Sequence, residues 1–196
     1  MVEAAERPMT LAEFLVWDDG TETRYELVGG VPRAMAPASG RHGLIQQNAA
    51  NAIQDKIGRQ GPCRIVHQAG LLLSIQGDDR FYVPDLAVTC RDVSDSPYID
   101  EPKLVVEVIS PSTGRLDKDN KVPDYCTLPS VDEVWLIDSR KPLVHVYQRV
   151  NGQWIGHVPL RPAQTFQSHF LGGEVPVDAF YDGIDFSPAP ANPAAG

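Results

Sequence analysis

Positive charge is scarce in this sequence. Its 196 residues hold 17 Lys and Arg against 26 Asp and Glu, a formal net charge of −9. That balance excludes a uniformly basic nucleic-acid binder, so a polyanion site has to be a local patch or be neutralised by metal. Cysteine is also sparse. Cys63, Cys90 and Cys126 are odd in number, widely spaced and never in CxxC spacing. This argues against a disulfide framework or a thiolate zinc site and for a reducing compartment. No apolar run approaches the ~20 residues that span a bilayer. The N-terminal MVEAAERPMTLAEF has acidic residues and no apolar stretch, unlike a secretory signal. A cytoplasmic protein without membrane association is the expectation.

What remains is the composition of a folded domain. Hydrophobic residues at 42% and charged residues at 22% exclude a mainly disordered chain. The length allows one domain with a substantial core. Seventeen Pro and 16 Gly are spread along the chain and imply many turns. Residues 1–8 read as a loose arm and 9–185 as a single domain. Residues 186–196, rich in Pro and Ala, read as a disordered tail.

Thr10 precedes LAEFLVW with Glu13 three residues on. This capping box starts a helix that Gly20 closes. RYELVGGVPRAM carries two strand-like runs around a Gly-Gly turn, a hairpin signal. Leu44, Ile45, Ala49, Ala52, Ile53 and Ile57 recur at three- and four-residue steps and predict a helix within 39–60. CRIVHQ and GLLLSI read as strands, QGDDR as a turn and FYVPDLAVTC as one strand containing a proline. KLVVEVIS reads as a strand buried on both faces. A helix is expected from about Leu116, disturbed at Pro123. DEVWLID, LVHVYQ and GQWIGHV follow as an antiparallel meander. The order predicts an α/β or α+β domain with one mixed β-sheet flanked by helices.

The chemistry is concentrated in acids placed among apolar strand residues. Asp85 in YVPDLAV and Glu107 in LVVEVIS are costly to bury unless paired, hydrogen-bonded or metal-bound. Neighbouring strands can bring both onto one face. Close carboxylates repel unless a cation relieves them, and Mg²⁺ or Mn²⁺ suits oxygen donors. A metal there can polarise a phosphoryl oxygen and activate water. Either acid alone reads more readily as a carboxylate tied to a base or an amide.

Asp117, Lys121 and Tyr125 are spaced four and four, on one face of a helix. Lys121 can project toward the carboxylates and stabilise charge on a phosphate. An ordinary Asp–Lys pair and a core tyrosine are the plainer readings. Glu26 in RYELVGG either completes the metal site or caps the hairpin. His42 lies near a helix start, as substrate contact or, more simply, as a surface or capping histidine. Arg41 shares that helix N-terminus, which favours anions. Arg115 and Lys118 are candidate phosphate contacts.

Taken in order, YELVGG, VPDLAV, LVVEVISPST, the D-x-x-x-K-x-x-x-Y run and VDEVWLID resemble the Uma2 family of restriction-type endonucleases, within the PD-(D/E)xK nuclease class. The resemblance covers roughly residues 9–150. It implies a restriction-endonuclease-like α/β core with an added N-terminal helix and hairpin. It also implies a metal-dependent endonuclease acting on nucleic acid, with DNA as the expected substrate. Asp85 and Glu107 would bind Mg²⁺ or Mn²⁺, with Glu26 a further ligand. In the larger class a lysine commonly follows the second acid by two residues; here that position is Ile109. The resemblance therefore implies a lysine migrated to the next helix, Lys121. His42, Arg115, Asp117 and Tyr125 would support site or substrate. Cutting both strands of a duplex takes two sites, so a homodimer is expected. The alternative is a catalytically inactive nuclease fold serving as a binding or oligomeric module, which the acidic net charge favours.

Overall fold

The computed structural model describes residues 7–75, 77–93, 95–110 and 120–187. Helix α1 (Leu11–Leu15) leads into the hairpin β1 (Tyr25–Val28) and β2 (Val31–Ala34), then the long helix α2 (Gly40–Ile57). Strands β3 (Arg64–His67), β4 (Leu71–Ile75), β5 (Asp78–Tyr82), β6 (Leu86–Thr89) and β7 (Pro102–Ile109) precede the short helix α3 (Val122–Thr127). Strands β8 (Glu133–Asp138), β9 (Val144–Val150) and β10 (Gln153–Gly156) come next. A small hairpin, β11 (Thr165–Ser168) and β12 (Gly173–Pro176), ends in a 3-10 turn, Val177–Tyr181.

The strands make a six-stranded sheet ordered β10-β9-β8-β7-β6-β3, a four-stranded sheet ordered β2-β1-β5-β4, and the β11-β12 pair. The larger sheet is mixed, because β7 and β8 run parallel while its other pairs are antiparallel. Alternation along its strands sorts the side chains into two layers. Leu86, Val88, Leu104, Val106, Val108, Trp135 and Ile137 face α2 and the C-terminal hairpin. Ala87, Val105, Ile109, Val134 and Leu136 face α3 and the four-stranded sheet. Both faces are covered, so β7 reads as a nearly continuous apolar run. Each fully buried aliphatic or Phe side chain contributes about 1.5–3 kcal/mol.

Several local expectations hold for their stated reasons. Thr10 and Glu13 form the capping box, the Gly29-Gly30 hairpin is present, and β8, β9 and β10 form the antiparallel meander. Others are corrected. The first helix ends at Leu15, well before Gly20. Among the described residues there are three sheets where one was expected. FYVPDLAVTC is two strands in two different sheets, and Asp78–Arg80, read as part of a turn, belongs to β5. Pro84 has no amide to give a ladder and a fixed φ, so the chain leaves one sheet at Val83 and enters the other after Asp85. Asp85 therefore sits in the junction and not inside a strand.

Pro123 lies in the first turn of α3, directly after the π-helical pair at 120–121, and the expected helix start near Leu116 lies outside the described residues. Cys63 and Cys90 form a disulfide, against the expectation from their spacing. The register Arg64↔Thr89 of β3 and β6 makes these cysteines cross-strand neighbours one step further on, a relation that only the pairing reveals. The ordered packing also reaches Phe186, whose ring meets Tyr181 at 5.5 Å. Among the described residues, no helix is long and apolar enough to cross a membrane.

Candidate active site

The junction between the two sheets assembles the site. Leu86 pairs with Val106 in the antiparallel β6–β7 ladder, so position 85 comes opposite Glu107 one step beyond it. The Val108 amide donates to Asp85 Oδ2 at 2.7 Å, which holds that carboxylate against β7 beside Glu107. Glu107 shares the α3 face with Val105 and Ile109. Both acids are buried, at 9% and 5% exposure, and burial of this kind requires compensation.

Compensation for Glu107 comes from the start of α3. Lys121 Nζ lies 3.2 Å from Glu107 Oε1 and 2.9 Å from Glu26 Oε1. One turn on, the Tyr125 hydroxyl donates to Glu107 Oε1 at 2.7 Å. The four-residue spacing of Lys121 and Tyr125 thus delivers both donors to one acid. Glu26 reaches the lysine from β1, and the same Oε1 accepts the Val83 amide at 2.9 Å. Glu26 is thereby tied to the segment that carries Asp85.

Asp85 is held from the opposite side of the sheet. His42, in the first turn of α2 after the Ser39 cap, places Nε2 2.7 Å from Asp85 Oδ1. Four residues later Gln46 donates to the Asp85 carbonyl at 2.7 Å. His42 is neither a free surface residue nor the cap. Its helix neighbour Arg41 turns elsewhere, donating to the Asp185 carbonyl at 3.2 Å and covering the Phe186 ring.

Tyr82, Arg80 and Asp124 belong to the same cluster and escape a reading of the sequence. Lys121 Nζ sits 5.5 Å from the centre of the Tyr82 ring, a cation–π contact. The Tyr82 hydroxyl donates to Asp124 Oδ2 at 2.6 Å, and Arg80 Nη1 donates to the same oxygen. Burial, and then the bond to Asp124, push the Tyr82 phenol well above its usual range, so it stays neutral and donating. The one sequence signal was Asp124 in the helix turn that follows Lys121. Arg115, Asp117 and Lys118 lie outside the described residues.

Among the described residues, no group of three His, Cys, Asp or Glu is gathered for a metal ion, so an all-protein cage is absent there. Two carboxylates on adjoining chain segments are nonetheless a donor set that fits Mg²⁺, which uses one or two carboxylates and completes its shell with water and phosphate oxygens.

The architecture is an α/β fold built on a mixed sheet, with Asp85, Glu107 and Lys121 gathered where two sheets adjoin. A crystal structure titled as a putative nuclease belonging to DUF820, from Anabaena variabilis ATCC 29413, superposes with a TM-score of 0.69 over 88% of this chain and 97% of that one, at 20% identity. That likeness establishes the fold. Residues 11–178 match the Uma2 family, described as "Putative restriction endonuclease", and the chain belongs to that family. Two uncharacterized proteins of Synechocystis sp. (strain ATCC 27184 / PCC 6803 / Kazusa) are similar along most of their length. Protein slr1290 is 27% identical over 89% of this chain and 92% of its own. Protein sll1609 is 28% identical over 79% and 89%.

Proposed function

We propose that this chain is a metal-dependent endonuclease that hydrolyses phosphodiester bonds of DNA. The observation that carries the reading is Lys121, held by two buried carboxylates, beside the Asp85–Glu107 pair at the junction of the sheets. Asp85 and Glu107 are the residues that would hold Mg²⁺ or Mn²⁺. Such an ion supplies Lewis-acid charge to the phosphoryl oxygens and acidifies bound water.

The protein groups do the positioning. His42 and the Val108 amide fix Asp85 by one oxygen each. Tyr125 and Lys121 fix Glu107. Lys121 serves as a cation and donor, placed to orient the attacking water and to hold a non-bridging phosphate oxygen. Glu26 anchors that lysine through Oε1, which also accepts the Val83 amide, and would be a further ligand to the ion. In the reaction the water would give up a proton to solvent as its oxygen bonds to phosphorus, the bond to the leaving sugar oxygen would break, and that oxygen would take up a proton from solvent. A duplex cut on both strands needs two such sites, so a homodimer accompanies this reading.

The test is nicking of supercoiled plasmid by the purified chain. Cleavage is expected in Mg²⁺ or Mn²⁺, with loss in EDTA and in Glu107→Gln, which keeps the shape and hydrogen bonding of the site. Cleavage that persists in EDTA or in that variant overturns the metal role. Absence of cleavage, with DNA binding retained, favours the inactive binding module.

A further inference from the structure

The acidic chain needs a local source of positive charge to receive a polyanion, and the β1–β2 hairpin supplies one. Residues directly opposite each other in an antiparallel pair present their side chains on one face. Arg33 is the partner of Glu26 in the β1–β2 register. It therefore stands on the face of the hairpin that Glu26 uses to reach Lys121. The pairing continues one residue before β1, since the Met35 amide donates to the Arg24 carbonyl at 2.8 Å. Arg24, two residues before Glu26, falls on the same face by alternation. The two arginines are thus neighbours, by register and alternation, of the residue that anchors the site lysine.

Both arginines are exposed. Among the described residues neither forms an ion pair with a carboxylate, whereas Arg7, Arg80, Arg91 and Arg140 each do. Arg24 instead donates to the neutral Gln68 side chain. Gln68 takes a left-handed backbone, φ 49°, rare for a residue other than Gly, Asn or Asp. Its amide bonds the Asp85 carbonyl at 3.2 Å. Arg24 is thereby placed relative to the site through Asp85 itself. Of the acids in the preceding loop, Asp18 and Asp19 accept the Gly20 and Thr21 amides in their own turn, and the nearer Glu22, two residues before Arg24, is exposed. β2 is the edge of its sheet, and both arginines are exposed to a ligand there.

We infer that Arg24 and Arg33 form a phosphate-binding flange that grips the DNA backbone next to the scissile bond. This rests on the nuclease reading and adds the substrate contact that the chain's net charge otherwise denies. Guanidinium groups suit phosphate oxygens because their donors form a planar fork. Phosphate contacts of this kind place the duplex without reading its sequence.

The experiment is fluorescence anisotropy of a short labelled duplex across a NaCl series, with Ca²⁺ supplied to support binding, alongside plasmid nicking in Mn²⁺. Each phosphate contact contributes about −0.9 to the slope of log K against log salt. The Arg24→Ala/Arg33→Ala double variant should therefore flatten that slope by about 2 and bind at least about tenfold more weakly near 0.1 M salt. Arg24→Lys/Arg33→Lys should restore most of the slope. Arg161→Ala, on the loop before β11, should leave it unchanged. Thermal midpoints of the double variant should match wild type, since both side chains are exposed. Unchanged slope and affinity in the double variant, with nicking by wild type intact, overturn the flange and leave the nuclease reading standing. A wild-type chain that neither binds nor nicks DNA overturns both.

Discussion

Lys121→Met will lose plasmid nicking and about 3–5 kcal/mol of stability, the usual result of removing one partner from a buried ion pair. The lysine is 6% exposed and lies between Glu26 and Glu107. Without it, two buried carboxylates face each other with no ammonium between them. Stability and chemistry can be separated by a second substitution. Lys121→Met/Glu26→Gln removes one of the two acids together with the cation. It should recover much of the lost midpoint in thermal melting and none of the nicking. Recovery of activity in the double variant, or nicking by Lys121→Met at the wild-type rate, contradicts a role for the lysine in the reaction.

Glu133→Ala will lower the thermal midpoint by about 10 °C, from a loss of at least about 3 kcal/mol. This carboxylate is fully buried in β8. Trp135 Nε1 donates to it at 2.9 Å, Gln148 Nε2 at 3.0 Å and the Phe170 amide at 3.1 Å. Ser168 Oγ lies 2.9 Å from Oε2. Truncation removes the acceptor of all four donors, Gln148 keeping its bond to the Gln167 carbonyl, and each buried group left unsatisfied costs about 1–3 kcal/mol. Ser168 and Phe170 belong to the β11 end and the turn that follows, so Glu133 pins the C-terminal hairpin onto the main sheet. The hairpin carries Phe166, which packs edge-on against Trp135 at 5.1 Å. A midpoint within about 2 °C of wild type in differential scanning calorimetry contradicts this account of the hairpin.

The contrast between Glu133 and Glu107 shows what the sequence carries and what it does not. Both are acids in apolar strands, EVWLID and LVVEVIS. Glu107 stood out because a second acid, a lysine and a tyrosine lay at spacings that strand alternation and helix periodicity can bring together. Glu133 had no such company, because apart from Trp135 two residues on its donors arrive from β9 and from a hairpin more than thirty residues away. The fold class was legible from apolar periodicity, and the capping box and Gly-Gly turn from local chemistry. The split of FYVPDLAVTC between two sheets was not, since only tertiary pairing decides where a proline ends a ladder. His42 was undervalued for a similar reason. An isolated histidine at a helix start says nothing until its helix is laid across the sheet, where it meets Asp85 at 2.7 Å. Tyr82 and Arg80 sit in a stretch read partly as a turn, so their approach to Lys121 and Asp124 was hidden.

The claim on which the rest depends is that Asp85 and Glu107 hold one divalent ion. Calorimetric titration with Mn²⁺ addresses it without reference to any substrate. The wild-type chain should bind one Mn²⁺, and Asp85→Asn, which retains an oxygen for the Val108 amide, should bind none at that site. Equal Mn²⁺ binding by the two proteins would contradict it.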